Sequence, residues 1–266
     1  MKQSLSQIHP CAKIHESVHI EPFVTIANNV EIGEGTYIGS NVTICEGTRI
    51  GKNCRIFPGA VIGAIPQDLK FRGEETFAII GDNTTLREYV TVNRGTASKG
   101  KTVIGSNCLI MAYCHVAHDC IVGNNVIISN TTQLAGEVQI DDFAILSGGT
   151  LVHQFTRIGA HVMLQGGSKV NKDIPPYITA GHDPLAYIGI NTLGLRRRGY
   201  SSEQIAAIQD IYRVIYSHGQ NFSQTTERVA AEMCDTPERA NILDFIKNST
   251  RGIVRSVLEK PVPMLS

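Results

Sequence analysis

The chain has 266 residues, and its 24 Lys and Arg residues balance its 24 Asp and Glu residues, so no net charge attracts nucleic acid. No apolar run reaches the roughly 18 residues of a membrane span, and the N-terminal residues lack the apolar core of a signal peptide. Seven cysteines in a chain of this length indicate reduced thiols and a cytoplasmic protein.

An aliphatic residue returns at every sixth position over most of the chain. The register runs from Ile14 to Ile62, returns at Ile80, Leu86 and Val92, and continues from Ile104 to Val170. Neither a helix nor an isolated amphipathic strand has this period, whereas a hexapeptide repeat predicts a parallel β-helix. Three hexads would close one coil, and neighbouring coils would stack about 4.8 Å apart.

The fifth position of each hexad, counted from the aliphatic residue, supports the prediction of a β-helix, and two segments interrupt the six-residue register. That fifth position holds small or β-branched residues, which suit a second inward slot beside the aliphatic one. Residues 64–79 and 94–103 do not keep the period. A solenoid accepts insertions as loops that protrude from a corner, so we expect these two segments to line a binding surface.

A different pattern follows the end of the repeat near Asp173. Ser201 and Gln204 have the spacing of a capping box, and a helical face follows from Ile205. A second helix is predicted from about 224 to 233, and a third from the Thr236-Pro237 pair. We therefore predict a β-helix domain over residues 1–190 and a helical domain over 191–266 that covers the open end of the solenoid.

The stretch CHVAHDC, residues 114–120, carries most of the candidate chemistry. Cys114 and Cys120 occupy fifth positions and should face the core, whereas His115 and His118 should lie outside, near a corner. Steps of one and two coils place further residues beside His118 and Asp119, namely Gly136, Glu137, His153 and Gln154. Histidine is the usual general base near neutral pH, and a neighbouring carboxylate can orient it.

Other chemistries are open from the residues alone. No serine or cysteine is evidently paired with these histidines as a nucleophile, which favours direct transfer onto a hydroxyl or an amine. A zinc site is the alternative, although His115 and His118 are three residues apart and His153 is 35 residues further on. A non-enzymatic scaffold or ice-binding solenoid would instead carry a flat array of threonines, which is absent from this sequence.

Several longer motifs resemble the UDP-N-acetylglucosamine O-acyltransferases of lipid A biosynthesis over essentially the whole chain. They are IGAIPQDLKFRGE (62–74), VNRGT (92–96), HVAHDCIVGNN (115–125), LAGEVQIDDFAILSG (134–148), VHQF (152–155), IGAHVM (158–163) and GLRRRGYS (194–201). The hexad alone is typical of a large acyltransferase superfamily, whereas the QDLK loop and the GLRRRG segment are specific to this family.

The resemblance implies a left-handed β-helix that forms a homotrimer, with active sites in clefts between subunits. It also implies the reaction: an (R)-3-hydroxyacyl group passes from the phosphopantetheine thioester of acyl carrier protein to the 3-hydroxyl of UDP-N-acetylglucosamine. This is the first step of lipid A biosynthesis, and it needs neither a metal nor a further cofactor. A related hexapeptide N-acyltransferase is the alternative, but it would normally carry an extra N-terminal uridine-binding domain.

The resemblance also assigns roles to particular residues. His118 matches the general base, Asp119 the acid that supports it, and Gly136 the glycine whose N–H steadies the oxyanion. The residues that match substrate contacts are His115, His153, Gln154, Asp68, Lys70, Asn191, Arg197 and Arg198. Pairing of His118 with Asp119 requires a bend, because adjacent residues on a strand point to opposite faces.

Two sites in the sequence, Glu137 and the pair Gly166-Gly167, bear on specificity. Glu137 stands where the family has histidine, and a carboxylate there could favour a 3-amino sugar nucleotide, which is a further alternative. Gly166 and Gly167 lie where the family measures acyl length with one side chain. Small residues there leave a long groove, so we expect a long acyl chain.

Overall fold

A computed structural model describes residues 5–217 and 221–256, which form a solenoid of short strands followed by four helices. The strands are β1 (Gln7–Ile8), β2 (Lys13–Ile14), β3 (His19–Ile20), β4 (Thr25–Ile26), β5 (Glu31–Ile32), β6 (Tyr37–Ile38), β7 (Thr43–Ile44), β8 (Thr48–Ile50), β9 (Arg55–Ile56), β10 (Val61–Ala64), β11 (Phe77–Ile80), β12 (Thr85–Leu86), β13 (Thr91–Asn93), β14 (Lys101–Ile104), β15 (Leu109–Ile110), β16 (His115–Val116), β17 (Ile121–Val122), β18 (Ile127–Ile128), β19 (Gln133–Leu134), β20 (Gln139–Ile140), β21 (Ile145–Leu146), β22 (Leu151–Val152), β23 (Arg157–Ile158), β24 (Met163–Leu164), β25 (Lys169–Val170), β26 (Ile178–Gly181) and β27 (Ala186–Ile190). The helices are α1 (Thr192–Arg197), α2 (Ser202–Ile215), α3 (Phe222–Glu232) and α4 (Pro237–Lys247).

Successive strands take turns on three sheets, which are the three faces of a left-handed parallel β-helix, as predicted. The first face begins with β1, the second with β2 and the third with β3, and every third strand adds to the same sheet up to β25. Val116 pairs with Leu134 and Leu134 with Val152, so one coil takes 18 residues. The third face ends in the antiparallel hairpin of β26 and β27.

The predicted inward positions form the core. The aliphatic residues of the six-residue register are buried from Ile26 onward, and Cys114 and Cys120 are only 1% and 0% exposed. The corner residue of most hexads has a positive φ, between 52° and 72°, even where it is not glycine. This left-handed conformation turns the chain from one face to the next.

We name the three corners by the faces that they join. The first edge leads from the first face to the second, the second edge from the second face to the third, and the third edge back to the first. The two irregular segments, 65–76 and 94–100, both leave the first edge, because each connects a strand of the first face to one of the second. Residues 117–120 of the CHVAHDC stretch lie on the same edge.

The helices pack on the C-terminal end of the solenoid. The predicted capping box is present, with Ser201 and Gln204 bonded reciprocally, and Thr236 caps α4 as expected. The Tyr212 hydroxyl is fully buried and donates to the Pro176 carbonyl at 2.6 Å. Helix α3 begins two residues before the predicted start, and α1 was not predicted. Residues 1–4, 218–220 and 257–266 of the two predicted domains lie outside the described residues.

Candidate active site

A cleft of about 570 Å³ lies beside the first edge, along the outer surface of the first face. The predicted site residues that line it are His115, His118, Gly136, His153 and Gln154. Gln67, from the loop 65–76, also lines the cleft. The cleft therefore collects residues that lie far apart in the sequence, from Gln67 to Asn171.

His118 and Asp119 form a hydrogen-bonded pair at this cleft. The imidazole Nδ1 lies 2.8 Å from Asp119 Oδ2, and the His118 side chain is 11% exposed. Asp119 has a φ of 60°, so the chain bends at this corner and both side chains reach the same side. A carboxylate at Nδ1 selects the tautomer in which Nδ1 carries the proton and Nε2 is free to accept one.

The Asp119 carboxylate is fully buried and is held by the segment 94–100. Its Oδ1 accepts from the backbone N–H groups of Thr96 and Lys99, at 3.0 and 3.2 Å. Its Oδ2 accepts from the Thr96 hydroxyl at 2.6 Å, and the Asp119 N–H donates to Thr102 Oγ1 at 2.8 Å. The second interruption of the repeat thus folds over the His118 corner.

Gly136 lies one coil above His118, and its lack of a side chain makes room for the imidazole. A Cβ at this position would be 2.6 Å from His118 Nε2 and Cε1. Its N–H group has no hydrogen-bond acceptor within residues 5–217 and 221–256. The imidazole therefore has room beside an available backbone donor.

His115 occupies the wall of the cleft. Its Nδ1 lies 2.7 Å from Thr91 Oγ1. Burial lowers the pKa of His115, and the neighbouring charge of His118 lowers it further. His115 is therefore neutral at neutral pH and suited to hydrogen bonding rather than to carrying charge.

The remaining polar groups near the first edge come from several coils. Glu137 Oε2 lies 3.8 Å from Lys99 Nζ, so that carboxylate has a cationic partner within the chain. His153 Nδ1 lies 3.0 Å from the Gln154 carbonyl oxygen. In the loop 65–76 the Asp68 carboxylate accepts from the backbone N–H of Lys70 at 2.9 Å. Neither Asp68 nor Lys70 lines the cleft, whereas their neighbour Gln67 does.

Four predicted site residues lie away from this cleft within one chain. Gly166 is on the third edge, where a Cβ would be 3.3 Å from the Gly148 carbonyl oxygen. Asn191 caps α1 by accepting from the Gly194 N–H, and it donates to the His161 carbonyl at 2.8 Å. Arg197 is on the exposed side of α1, and the Arg198 guanidinium lies 4.4 Å from the Phe143 ring centre, on the second edge.

The described residues contain no group of three or more His, Cys, Asp and Glu side chains placed to hold a metal ion. Cys114 and Cys120, which flank the two histidines in sequence, face the core, and burial raises their pKa values to about 11 and about 12. Both facts weaken the zinc interpretation. Within the same residues, no helix has the length and apolarity needed to cross a membrane.

Comparison with known proteins decides the family. A family model described as Udp N-acetylglucosamine O-acyltransferase, Domain 2, matches residues 173–254, and a hexapeptide-repeat transferase model matches 101–136. An acyl-[acyl-carrier-protein]–UDP-N-acetylglucosamine O-acyltransferase from Myxococcus xanthus is 46% identical over 249 residues, which are 93% of this chain and 96% of that protein. The chain belongs to the UDP-N-acetylglucosamine O-acyltransferase family.

Solved structures of UDP-N-acetylglucosamine acyltransferases have the same fold. The protein from Bacteroides fragilis is 55% identical, with a TM-score of 0.93 over 96% of this chain and 100% of that one. The protein from Francisella novicida is 40% identical, with a TM-score of 0.93 over 96% and 94% of the two chains. The left-handed β-helix with its C-terminal helices is thus the fold of this acyltransferase family.

Sequence reasoning missed the residues that support the site. Thr91, Thr96, Lys99 and Thr102 contact His115 or Asp119, and Gln67 lines the cleft. The signal for Thr96, Lys99 and Gln67 was present, because all three lie in segments where the six-residue period stops. The period does not reveal which way such a segment folds, so their contacts had to come from the structure.

Proposed function

We propose that this acyltransferase moves an (R)-3-hydroxyacyl group from acyl carrier protein to the 3-hydroxyl of UDP-N-acetylglucosamine, the first step of lipid A biosynthesis, in the cytoplasm. One observation carries the proposal: the His118–Asp119 pair opens onto a cleft beside the Gly136 N–H. The acyl donor is the phosphopantetheine thioester of the carrier protein, and no other cofactor takes part.

In the proposed reaction His118 is the general base. Its Nε2 takes the proton of the sugar hydroxyl while that oxygen attacks the thioester carbonyl carbon. The Gly136 N–H donates to the negative oxygen of the tetrahedral intermediate. When the carbon–sulfur bond breaks, His118 returns the proton to the leaving thiolate, which yields the 3-O-acyl sugar nucleotide and the free thiol. No serine or cysteine is among the cleft-lining residues of the described chain, which supports direct transfer.

The remaining residues bind the substrates in this proposal. His115, His153 and Gln154 contact the sugar, with Asp68 and Lys70 in the loop above it. Asn191, Arg197 and Arg198 serve the nucleotide, since guanidinium groups suit a diphosphate. Gly166 leaves a groove for a long acyl chain.

We propose a homotrimer whose subunits share each active site. Gly166, Asn191, Arg197 and Arg198 lie on the second and third edges or on α1, so they meet the His118 cleft only if another copy supplies them. The outer surface of the third face also carries a row of half-buried aliphatic side chains, Leu109, Ile127, Ile145 and Met163, which suits an interface between copies. Sedimentation equilibrium would give three times the monomer mass.

The position of Glu137 favours the 3-hydroxyl over the 3-amino acceptor. The 3-amino alternative was based on a carboxylate at Glu137 that could face the sugar, but Glu137 Oε2 lies 3.8 Å from Lys99 Nζ. The 3-amino sugar nucleotide is therefore the weaker alternative as acceptor.

An acyl-transfer assay tests the function directly. Purified acyl carrier proteins with 3-hydroxyacyl chains of several lengths are each paired with UDP-N-acetylglucosamine and with its 3-amino analogue, and the products are resolved by mass spectrometry. We expect transfer from the longer chains to the 3-hydroxyl sugar. Preference for the amino sugar would move the assignment to N-acyl transfer, and absence of any product would refute the proposed function.

A further inference from the structure

The Asp119 carboxylate is oriented by one short segment of the chain. Three of its hydrogen bonds come from residues 96–99, and the fourth partner is His118. Neither Thr96 nor Lys99 lines the cleft, so the segment holds Asp119 without entering the substrate space.

The Thr96 hydroxyl has a fixed direction. Its oxygen accepts from the Ser98 N–H at 3.2 Å, and it lies 2.6 Å from Asp119 Oδ2. A carboxylate oxygen accepts hydrogen bonds, so the Thr96 proton points to Oδ2. This is the same oxygen that lies 2.8 Å from His118 Nδ1. Ser98, Thr96, Asp119 and His118 therefore form a continuous hydrogen-bonded chain that ends at the imidazole.

The segment is also clamped electrostatically. Lys99 Nζ lies 3.4 Å from the Asp119 carbonyl oxygen and 3.8 Å from Glu137 Oε2. Thr96 is 7% exposed, so its hydroxyl is shielded from competing water. A shielded hydrogen bond to a carboxylate contributes more than an exposed one.

We propose that Thr96 is a positioning residue that sets the tautomer of His118 through Asp119. By fixing Oδ2 against Nδ1, Thr96 keeps the proton on Nδ1 and leaves Nε2 free to accept the substrate proton. The inference rests on the proposed function of His118 as base, and it adds a residue that touches neither substrate nor imidazole.

A series of substitutions tests the role. Thr96→Ser keeps the hydroxyl, Thr96→Cys keeps the size with a weaker donor, and Thr96→Val removes the donor. We expect kcat to fall in that order, with a loss on the order of 10-fold or more for Thr96→Val, because a hydrogen bond to a charged group is lost. KM for UDP-N-acetylglucosamine should stay within about twofold, since Thr96 makes no substrate contact.

Thr84→Val is the matched control. Thr84, like Thr96, is buried at an edge, where its hydroxyl donates to the Gly105 carbonyl at 2.7 Å and accepts from the Cys108 N–H at 3.1 Å. It lies on the second edge and does not contact Asp119. Unchanged kcat in folded Thr96→Val, or an equal loss in Thr84→Val, would overturn the proposal.

A readout independent of turnover separates this proposal from the proposed function. In protein labelled with ¹⁵N-histidine, the wild type should show His118 protonated at Nδ1, whereas Thr96→Val should show a mixture of tautomers and Thr96→Ser should not. His118→Gln assigns the signal. If the wild type transfers no acyl group, the general-base role fails, but the tautomer spectra still decide whether Thr96 positions His118. Identical spectra in wild type and Thr96→Val refute it.

Discussion

Two buried histidines lie at corners on different edges of the solenoid, and their surroundings suit different roles. His118 on the first edge has a carboxylate at Nδ1 and a cleft at the other side of its ring. His161 on the second edge stacks between Phe143 and Tyr177, with ring centres 4.9 and 5.6 Å away. Burial lowers the pKa of His161 to about 4, and the charge of Arg198 also lowers it.

The difference shows that the six-residue repeat places a histidine at an edge of the solenoid, whereas the neighbouring side chains determine its chemical role. As whole residues, His118 and His161 are each 8% exposed, so a difference in burial does not explain their different roles. What separates them is the partner: a carboxylate held by residues 96–99 at one corner, and aromatic rings with the Tyr200 hydroxyl, 3.3 Å from Nε2, at the other. We therefore expect His118 to control rate and His161 to control stability.

The largest effect that this comparison predicts is on the rate. His118→Ala should lower kcat by a factor of at least ~100, the usual contribution of a general base, and leave the protein folded. Steady-state acyl transfer measures it, with exposed His9→Ala as the control. Near-normal kcat in His118→Ala would show that His118 does not control the rate.

Gly136→Ala should have the next largest effect. The added Cβ would lie 2.6 Å from His118 Nε2, so the imidazole must move, and a displacement of about 1 Å can cost on the order of 100-fold in rate. We expect a loss of kcat on the order of 10-fold to 100-fold. Gly189→Ala is the control, because a Cβ there meets nothing within 4 Å. Equal activity of the two variants would mean that the space beside His118 is not needed.

His161 should make the stability of the protein depend on pH. The folded-state pKa of His161 is about 4, below its unfolded value, so the unfolded state binds more protons and stability falls as pH drops through 6.5 toward 4. Between pH 7 and 5 this residue should reduce the free energy of unfolding by about 2 kcal/mol. His161→Phe keeps an aromatic ring but cannot titrate, so urea unfolding at both pH values should show a smaller loss. An equal loss in both proteins would contradict the assignment.

The smallest effect should come from removing metal ions. If Asp119, and not a metal, is what distinguishes the first edge, treatment with EDTA followed by desalting should leave kcat unchanged. Restoration of lost activity by Zn²⁺ would revive the zinc interpretation of His115 and His118.

Much of the architecture could be predicted because a single period governs it. The six-residue register identified the inward residues and the 18-residue step, and that step placed Gly136 above His118 and Glu137 above Asp119 before any coordinates. The capping box of α2 could also be predicted from the sequence, because it depends on two residues that are three positions apart.

The rest could not be read from the period, for physical reasons. The bend at Asp119 depends on a positive φ that aspartate adopts only in context, and the fold of 94–100 depends on contacts that no repeat encodes. Helix α1 spans six residues that include Gly194, too few for a helical pattern to emerge. The edge on which Gly166 and Arg198 lie follows from the winding, but their meeting with His118 involves a second copy in our proposal.

Because the fifth position of each hexad faces the core, its cysteines offer a test of folding for every variant above. Cys54, Cys108, Cys114 and Cys120 are shielded in the core, whereas Cys11 and Cys234 are exposed. A brief iodoacetamide pulse on the native protein should therefore alkylate the two exposed thiols first, half-buried Cys45 more slowly and the four core thiols last, and peptide mass spectrometry would record the difference. Protection of the core thiols thus reports whether the solenoid is folded, and it distinguishes a substitution that lowers activity from one that unfolds the protein.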